Sequence, residues 1–381
     1  MSSRLRPLVA LATVLVAGCD LFEPSRIAGT GGRPQSTSLV YQVPNPFIFL
    51  ASPVATDGTR LFAESADGDL VALSMETGAV LWSIPFSEDY WAGTPVYADG
   101  LVLAATDRAR AHDAATGVER WSIALPSSAI YHVTATANGV WYVGVGNEVL
   151  ALDVQTGDER WRQTFAGTDP YPALARAITV AGGVLYICGE QALTMNGALT
   201  QGPVVAMDAT TGEVLWTHII KFEEEYNYCI SEPSVADDAV VVADYGSNNV
   251  MALDRATGEQ RWHFRGPFGW YGSRAPPIIR GDTVFFASVD KTVRALDLGT
   301  GSTIWETQFD GSLRGLANCG AVLLANNFSL HTLDSRTGAV IGENINDSWP
   351  LDLVPSTRPV VVGDTAWILG WQHAAKLVCS R

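Results

Sequence analysis

The sequence predicts an all-β protein: an eight-bladed β-propeller of four-stranded antiparallel blades, with the last blade closed by an N-terminal strand. Three observations predict it. A phrase of apolar strand, Asp, Thr-Gly and Trp recurs, with its Thr-Gly pairs at Thr77/Gly78, Thr116/Gly117, Thr156/Gly157, Thr211/Gly212, Thr257/Gly258, Thr300/Gly301 and Thr337/Gly338. Successive Thr positions lie 39, 40, 55, 46, 43 and 37 residues apart, which is the length of a four-stranded blade rather than of a solenoid turn. A second family of turns, one per blade, counts eight: Asp57-Gly58, Asp99-Gly100, Asn138-Gly139, Gly182-Gly183, Asp237-Asp238, Gly281-Asp282, Cys319-Gly320 and Gly363-Asp364.

Each residue type in the phrase has a physical task. Three residues before the Thr stands Asp113, Asp153, Asp208, Asp254, Asp297 or Asp334, with Ser74 in the first copy. Its side chain accepts turn N–H bonds, while Gly supplies the positive φ of a tight hairpin. Five residues after the Thr stands Trp82, Trp121, Trp161, Trp216, Trp262 or Trp305, with Gly342 in the seventh copy. A large flat ring there packs between neighbouring sheets and contributes roughly 2–3 kcal/mol by burial.

Blade 1 reads as Ser52–Thr56, Arg60–Ser65, Leu70–Ser74 and Ala79–Ile84, with turns at Asp57-Gly58, Asp67-Gly68 and Thr77-Gly78. Blades 2 to 7 repeat this layout, and blade 4 carries an insertion, Gln191–Gly202, in its second turn. After Gly363 the chain offers only Ala366–Gly370 and Ala375–Cys379, so blade 8 lacks a fourth strand. The apolar segment Ser38–Val43 is the missing strand, and pairing it there leaves no sheet edge open at the seam.

The chain of 381 residues is 47% hydrophobic, enough for a large core, and no apolar run after the first twenty residues is long enough to span a bilayer. A net charge of −16 leaves no basic stripe to displace counterions, which excludes nucleic acid as a partner. Ahead of the propeller, Arg4 and Arg6 precede the apolar run Leu8–Ala17, and Leu15-Val16-Ala17-Gly18-Cys19 resembles a bacterial lipoprotein cleavage box. The expected organisation is a signal peptide over 1–18, a lipidated Cys19 with a flexible tether over 19–36, and the propeller over 37–381. The anchor faces the periplasm, with inner and outer membrane both left open. Cys188, Cys229, Cys319 and Cys379 allow two disulfides in three connectivities, or stand as buried thiols. There is no Cys-x-x-Cys and no His pair, so no metal site is expected.

Topology separates two faces. The first and third turns of each blade share one, where every connection is short. The second turns and blade-to-blade connections share the other, and longer loops there hold binding residues. Those loops carry Tyr90, Trp91, Tyr131, Tyr171, Tyr226, Tyr228, Phe268, Trp270, Tyr271 and Trp349, with Arg176, Arg274 and Arg314 as anchors. Tyr, Trp and Arg are the types enriched in binding hot spots. The run Glu223-Glu224-Glu225 reads as a solvated cluster. Asp169, Glu232 and Asp352 are acids without a second group at a defined spacing, so no catalytic residue is assigned.

The phrases ALDVQTGDERW, AMDATTGEVLW, ALDRATGEQRW and ALDLGTGSTIW resemble the repeat of the PQQ-type, quinoprotein-like propellers over nearly the whole chain from Thr37. That family holds quinoprotein dehydrogenases and the non-catalytic BamB lipoproteins of outer-membrane β-barrel assembly. The dehydrogenases carry adjacent cysteines, a calcium site and often a haem attachment motif. This chain has no Cys-Cys and no Cys-x-x-Cys-His. The resemblance therefore implies a BamB-type monomeric scaffold without PQQ, binding a protein partner of the β-barrel assembly type. The alternatives are a PQQ-dependent dehydrogenase-like enzyme and a small-molecule or glycan-binding propeller. By the same resemblance Leu174 and Arg176 correspond to a docking loop, and Glu232 to an acidic docking segment.

Overall fold

The structure, a computed structural model, describes residues 37–44, 54–65, 67–86, 94–126, 132–164, 173–191, 200–220, 226–227, 229, 231–243, 249–266, 275–288, 290–311, 313, 315–327, 329–344, 358–369 and 373–379. These residues form eight antiparallel four-stranded sheets. Blade 1 runs from inner to outer strand as Ala55–Thr56, Arg60–Glu64, Asp69–Ser74 and Val80–Pro85. Blade 4 runs as Ala173–Ala181, Val184–Gln191, Thr200–Asp208 and Val214–Ile220. No helix among the described residues is long and apolar enough to cross a membrane.

Blade 8 takes Val360–Val362, Thr365–Leu369 and His373–Cys379 from the C-terminal end of the chain and its outer strand, Thr37–Pro44, from the N-terminal end. The register runs from Thr37 opposite Cys379 to Pro44 opposite His373, with one irregularity between Leu39 and Tyr41. The missing strand falls where the apolar segment Ser38–Val43 placed it.

Middle strands are buried on both faces because each sheet is sandwiched between two others. All five residues of Leu101–Ala105 and all six of Val140–Val145 are buried. Outer strands alternate instead, as in Glu159–Thr164, whose even positions are more exposed than Trp161 and Gln163. Each pair of successive blades shares its own apolar cluster, from Phe62, Val102 and Ala104 between blades 1 and 2 to Leu324, Ile368 and Leu377 between blades 7 and 8. The circle closes where Trp367 of blade 8 packs with Leu61, Val71 and Met75 of blade 1.

The tryptophans work at these seams with a specific geometry. The indole Nε1–H of Trp216 donates to the Arg255 carbonyl of blade 5 at 3.0 Å, and Trp121 donates likewise to Val154 at 2.9 Å. Trp82, Trp161, Trp262 and Trp305 reach Ala114, Ala209, Leu298 and Ser335 in the same way. Every acceptor is the residue directly after the turn Asp of the next blade. The ring also lies on that blade's turn glycine: a Cβ on Gly258 would stand 2.5 Å from Trp216 Cε3, and the backbone there has φ +73°. Gly258 thus meets two demands, a left-handed turn and room for a neighbour's indole. The rings sit at the rim rather than deep between the sheets. Trp216 and Trp262 are buried, whereas Trp82, Trp121, Trp161 and Trp305 are half-buried.

Blade 7 has Gly342 where this Trp belongs, and its seam with blade 8 is covalent. Cys319 on its inner strand is bonded to Cys379, with the Cα atoms 6.1 Å apart. Cys379 occupies in blade 8 the position that accepts an indole elsewhere, since its amide donates to Asp364 O as that of Ala114 donates to Gly100 O. The remaining seam, blade 8 to blade 1, is held by Trp367 of a second strand, whose indole donates to Met75 O at 3.0 Å.

The turn aspartates behave as their spacing implies. Asp113 Oδ1 accepts the amides of Ala115 and Thr116 and the Thr116 hydroxyl, and its Oδ2 accepts from Arg120. The Arg120 hydrogen bond, followed by that of Thr116, holds the Asp113 pKa down to about 2. Asp153 and Asp254 are lowered chiefly by Arg160 and Arg261, and Asp208 by the Thr211 amide.

Four outcomes are expected. Trp216→Ala, which removes the ring, its hydrogen bond and its cover over Gly258, lowers stability by about 3 kcal/mol in urea melts; Arg162→Ala, on the exposed side of an outer strand, changes it by less than about 1 kcal/mol. Asp113, Asp153, Asp208 and Asp254 have lower pKa values folded than unfolded, so their contribution is complete above the ordinary 3.8 and is lost as pH falls through their lowered values, about 2 for Asp113. In Arg120→Ala the Asp113 pKa, followed by NMR, rises toward 3.8.

Candidate docking face

The two faces follow from backbone bonds. In blade after blade the residue opening the third turn donates its amide to the first turn: Met75 to Thr59 O, Ala114 to Gly100 O, Val154 to Gly139 O and Leu298 to Asp282 O. On the opposite face the end of the outer strand returns to the second turn, as Phe86 N–H does to Gly68 O and Phe309 N–H to Lys291 O.

Blade 4 departs from its neighbours on this second face. Its inner three strands are 9, 8 and 9 residues long, whereas the inner three of blade 2 are 3, 5 and 6. The insertion expected as a loop from Gln191 to Gly202 is therefore partly strand, since pairing continues to Gln191 on one side and resumes at Thr200 on the other. Leu174 and Arg176, expected on a loop, also lie on a strand. The extra β pairing lies between the two inner strands, whose ladder runs on past Arg176 from Ala175 opposite Gly189 to Ala173 opposite Gln191, whereas Val184–Gln191 and Thr200–Asp208 pair only as far as Cys188 and Val204, so the hairpin lengthened on this face is Ala173–Gln191.

Arg176 is the extra residue of a bulge: the register passes from Ala175 opposite Gly189 to Ala177 opposite Cys188. A bulge re-aims a side chain, and this one sets the guanidinium against Glu190, Nε donating to Oε2 at 2.5 Å while Nη2 reaches the same oxygen. Both side chains are about four-fifths or more covered, at 16% and 15% exposure. Ala173 and Ala175 pack toward blade 3, so Leu174, alternating with them, faces the blade 5 side together with Glu190 opposite it, and the bulged Arg176 is tied to that carboxylate. Cys188 belongs to the cluster on that same side.

The connection from blade 4 to blade 5 is fastened over this side at two points. Tyr226 and Asn227 form a short parallel bridge with Thr200 and Gln201, and Cys229 is disulfide-bonded to Cys188. Cys229 Sγ contacts Ser231 O at 3.3 Å, and half-buried Glu232 follows. Tyr226, expected in a loop, is thus strand. Cys19, Tyr90, Trp91, Tyr131, Tyr171, Tyr228, Phe268, Trp270, Tyr271, Arg274, Arg314 and Trp349 lie outside the described residues, as do Glu223-Glu224-Glu225, Asp169 and Asp352. The structure thus brings together Leu174, Arg176 and the end of the connection before blade 5. Sequence reasoning missed Glu190, whose only signal was its place in the blade 4 insertion hairpin, and the Cys188–Cys229 pairing.

The turn face holds a cleft of about 390 Å³ between blades 4 and 5, lined by Tyr186, Leu215, Trp216, Asp238, Arg255 and Arg261. Its cations are committed. Arg255 donates to Tyr186 Oη, Ala181 O and Ala236 O, and Arg261 bridges Asp238 and Asp254. No group of three or more His, Cys, Asp or Glu able to hold a metal occurs among the described residues.

Fold and repeat define a propeller of the PQQ type. The family described as outer membrane protein assembly factor BamB matches residues 25–263 and 200–365, and the chain belongs to this family. It is 22% identical to the outer membrane protein assembly factor BamB of Burkholderia pseudomallei over 84% of this chain and 81% of that protein. It is 34% identical to the serine/threonine-protein kinase AfsK of Streptomyces griseus over 42% of this chain, but spans only 20% of that protein. Among solved structures, BamB from Moraxella catarrhalis superposes with a TM-score of 0.68 at 18% identity, covering 90% of this chain and 97% of that one. A europium-containing methanol dehydrogenase superposes at 0.72 with 12% identity, covering 90% and 93%. Likenesses this distant report the fold alone.

Proposed function

We propose that the protein is a non-catalytic scaffold of outer-membrane β-barrel assembly, docking a periplasmic protein partner on the raised blade 4 hairpin and the connection to blade 5. The observation that carries this reading is local. Eight blades share one plan, yet among the described residues the inner strand pair of blade 4 is the longest, and its extra residues on the loop face carry Leu174, Arg176 and Glu190. An apolar side chain beside an arginine held in place by a carboxylate suits a hot spot, because little side-chain freedom is left to lose on binding. The family match supports the assembly role.

Location follows from the same chemistry. Two disulfides fit an oxidising compartment, and the sequence ending in Cys19 supplies the lipid anchor of a protein that works at a membrane surface. The cysteines join residues 41 and 60 positions apart rather than neighbours, so PQQ has no part in this reading.

The test is calorimetric titration of the full chain in detergent with the periplasmic region of the host's β-barrel assembly protein. Binding is expected, and Arg176→Glu combined with Glu190→Arg, which keeps an ion pair but reverses it, weakens it at least about tenfold, roughly 1.4 kcal/mol. Equal affinity in the reversed variant removes the docking face. Dye reduction on addition of PQQ and an alcohol, with no partner binding, replaces the scaffold reading by an enzymatic one.

A further inference from the structure

The two disulfides do different things. Cys319–Cys379 joins two strands that are already fixed within blades 7 and 8. Cys188–Cys229 joins a blade 4 strand to a residue that lies on no blade, within the connection to blade 5. Apart from this bond, Tyr226 and Asn227 are held by a two-residue parallel bridge to Thr200 and Gln201, and Cys229 is a single bridge residue. So short a pairing is marginal by itself. Both cysteines are fully buried, at 0% exposure, in the cluster with Trp216, Ile220 and Val242, so the bond is shielded from exchange in the folded protein.

Cys188 stands two residues before Glu190 and opposite Ala177, the neighbour of Arg176 across the bulge. Cys229 stands three residues before Glu232. We propose that the Cys188–Cys229 disulfide is a positioning element of the docking face, which pins the connection before blade 5 onto the side of the hairpin that bears Leu174, Arg176 and Glu190. This rests on the docking reading above. The bond makes one surface of two segments that are separated by 41 residues at the cysteines, so a partner meets it already assembled and bears no ordering cost. Among the described residues of the connection none lies on a blade strand, and the covalent tie is placed there.

The experiment compares the full chain in detergent with Cys188→Ala/Cys229→Ala and, as control, Cys319→Ala/Cys379→Ala. Two quantities are read: amide exchange at Tyr226–Glu232 in the free protein, and affinity for the periplasmic region of the host's β-barrel assembly protein. In the first variant exchange at these amides accelerates at least about tenfold and affinity falls about tenfold, while the far-ultraviolet circular dichroism of the ring is retained. In the control the connection exchanges as in the wild type and affinity is kept. If the alanine pair does not fold, Cys188→Val with Cys229→Ala, which refills part of the sulfur volume, is put through both readouts. Unaltered exchange overturns the proposal whatever the partner does, and a released connection with wild-type affinity overturns it equally. A wild-type chain that binds nothing overturns the docking reading, and the exchange comparison alone then judges the positioning claim.

Discussion

Every blade of this molecule is stable only because another covers it, so the fold depends on one pairing, that of Thr37–Pro44 with His373–Cys379. A four-stranded sheet with apolar residues on both faces has no self-sufficient arrangement in water. A ring supplies a neighbour on each side of all eight sheets at once, and the N-terminal strand is what joins its ends. The seams then repeat a single device. An indole from one blade donates to the carbonyl after the turn of the next and lies on its glycine, at six seams from Trp82 to Trp305. Where the chain changes direction of assembly the device changes too: a disulfide joins blades 7 and 8, and Trp367 of a second strand joins blade 8 to blade 1.

Regularity of this kind makes departures informative. The ring architecture is shared with alcohol and methanol dehydrogenases as well as with BamB, so it says little about activity. What differs from blade to blade carries the specific content. Blade 4 is taller, it contains the bulge at Arg176, and the connection leaving it is fastened twice. A strand pair lengthened on a closed ring presents its side chains in a fixed direction.

Much of this was legible in the chain because turn chemistry is local. Positive φ at Gly58, Gly117 and Gly157, and the amide-accepting carboxylates of Asp113 and Asp153, are demands met within a few residues. Such demands can be read without knowing the fold. The closing strand was legible by subtraction, since blade 8 was one strand short. What stayed hidden is long-range. The choice among three cysteine pairings depends on which blades are neighbours in space and on the path of a connection. The Arg176–Glu190 pair depends on a one-residue bulge that no periodicity announces. The insertion looked like a loop because its strand-forming residues flank segments with no alternating pattern. The double role of Gly258 was half legible: its turn was evident, the indole above it was not.

Native-state hydrogen exchange of the strand Thr37–Pro44 tests the closed ring most directly. If this strand holds the circle together, its amides and those of His373–Cys379 exchange only through global unfolding, with the same free energy and denaturant dependence as the core of blade 4. Exchange of Thr37–Pro44 by a separate, low-energy opening that leaves the other blades protected contradicts the account.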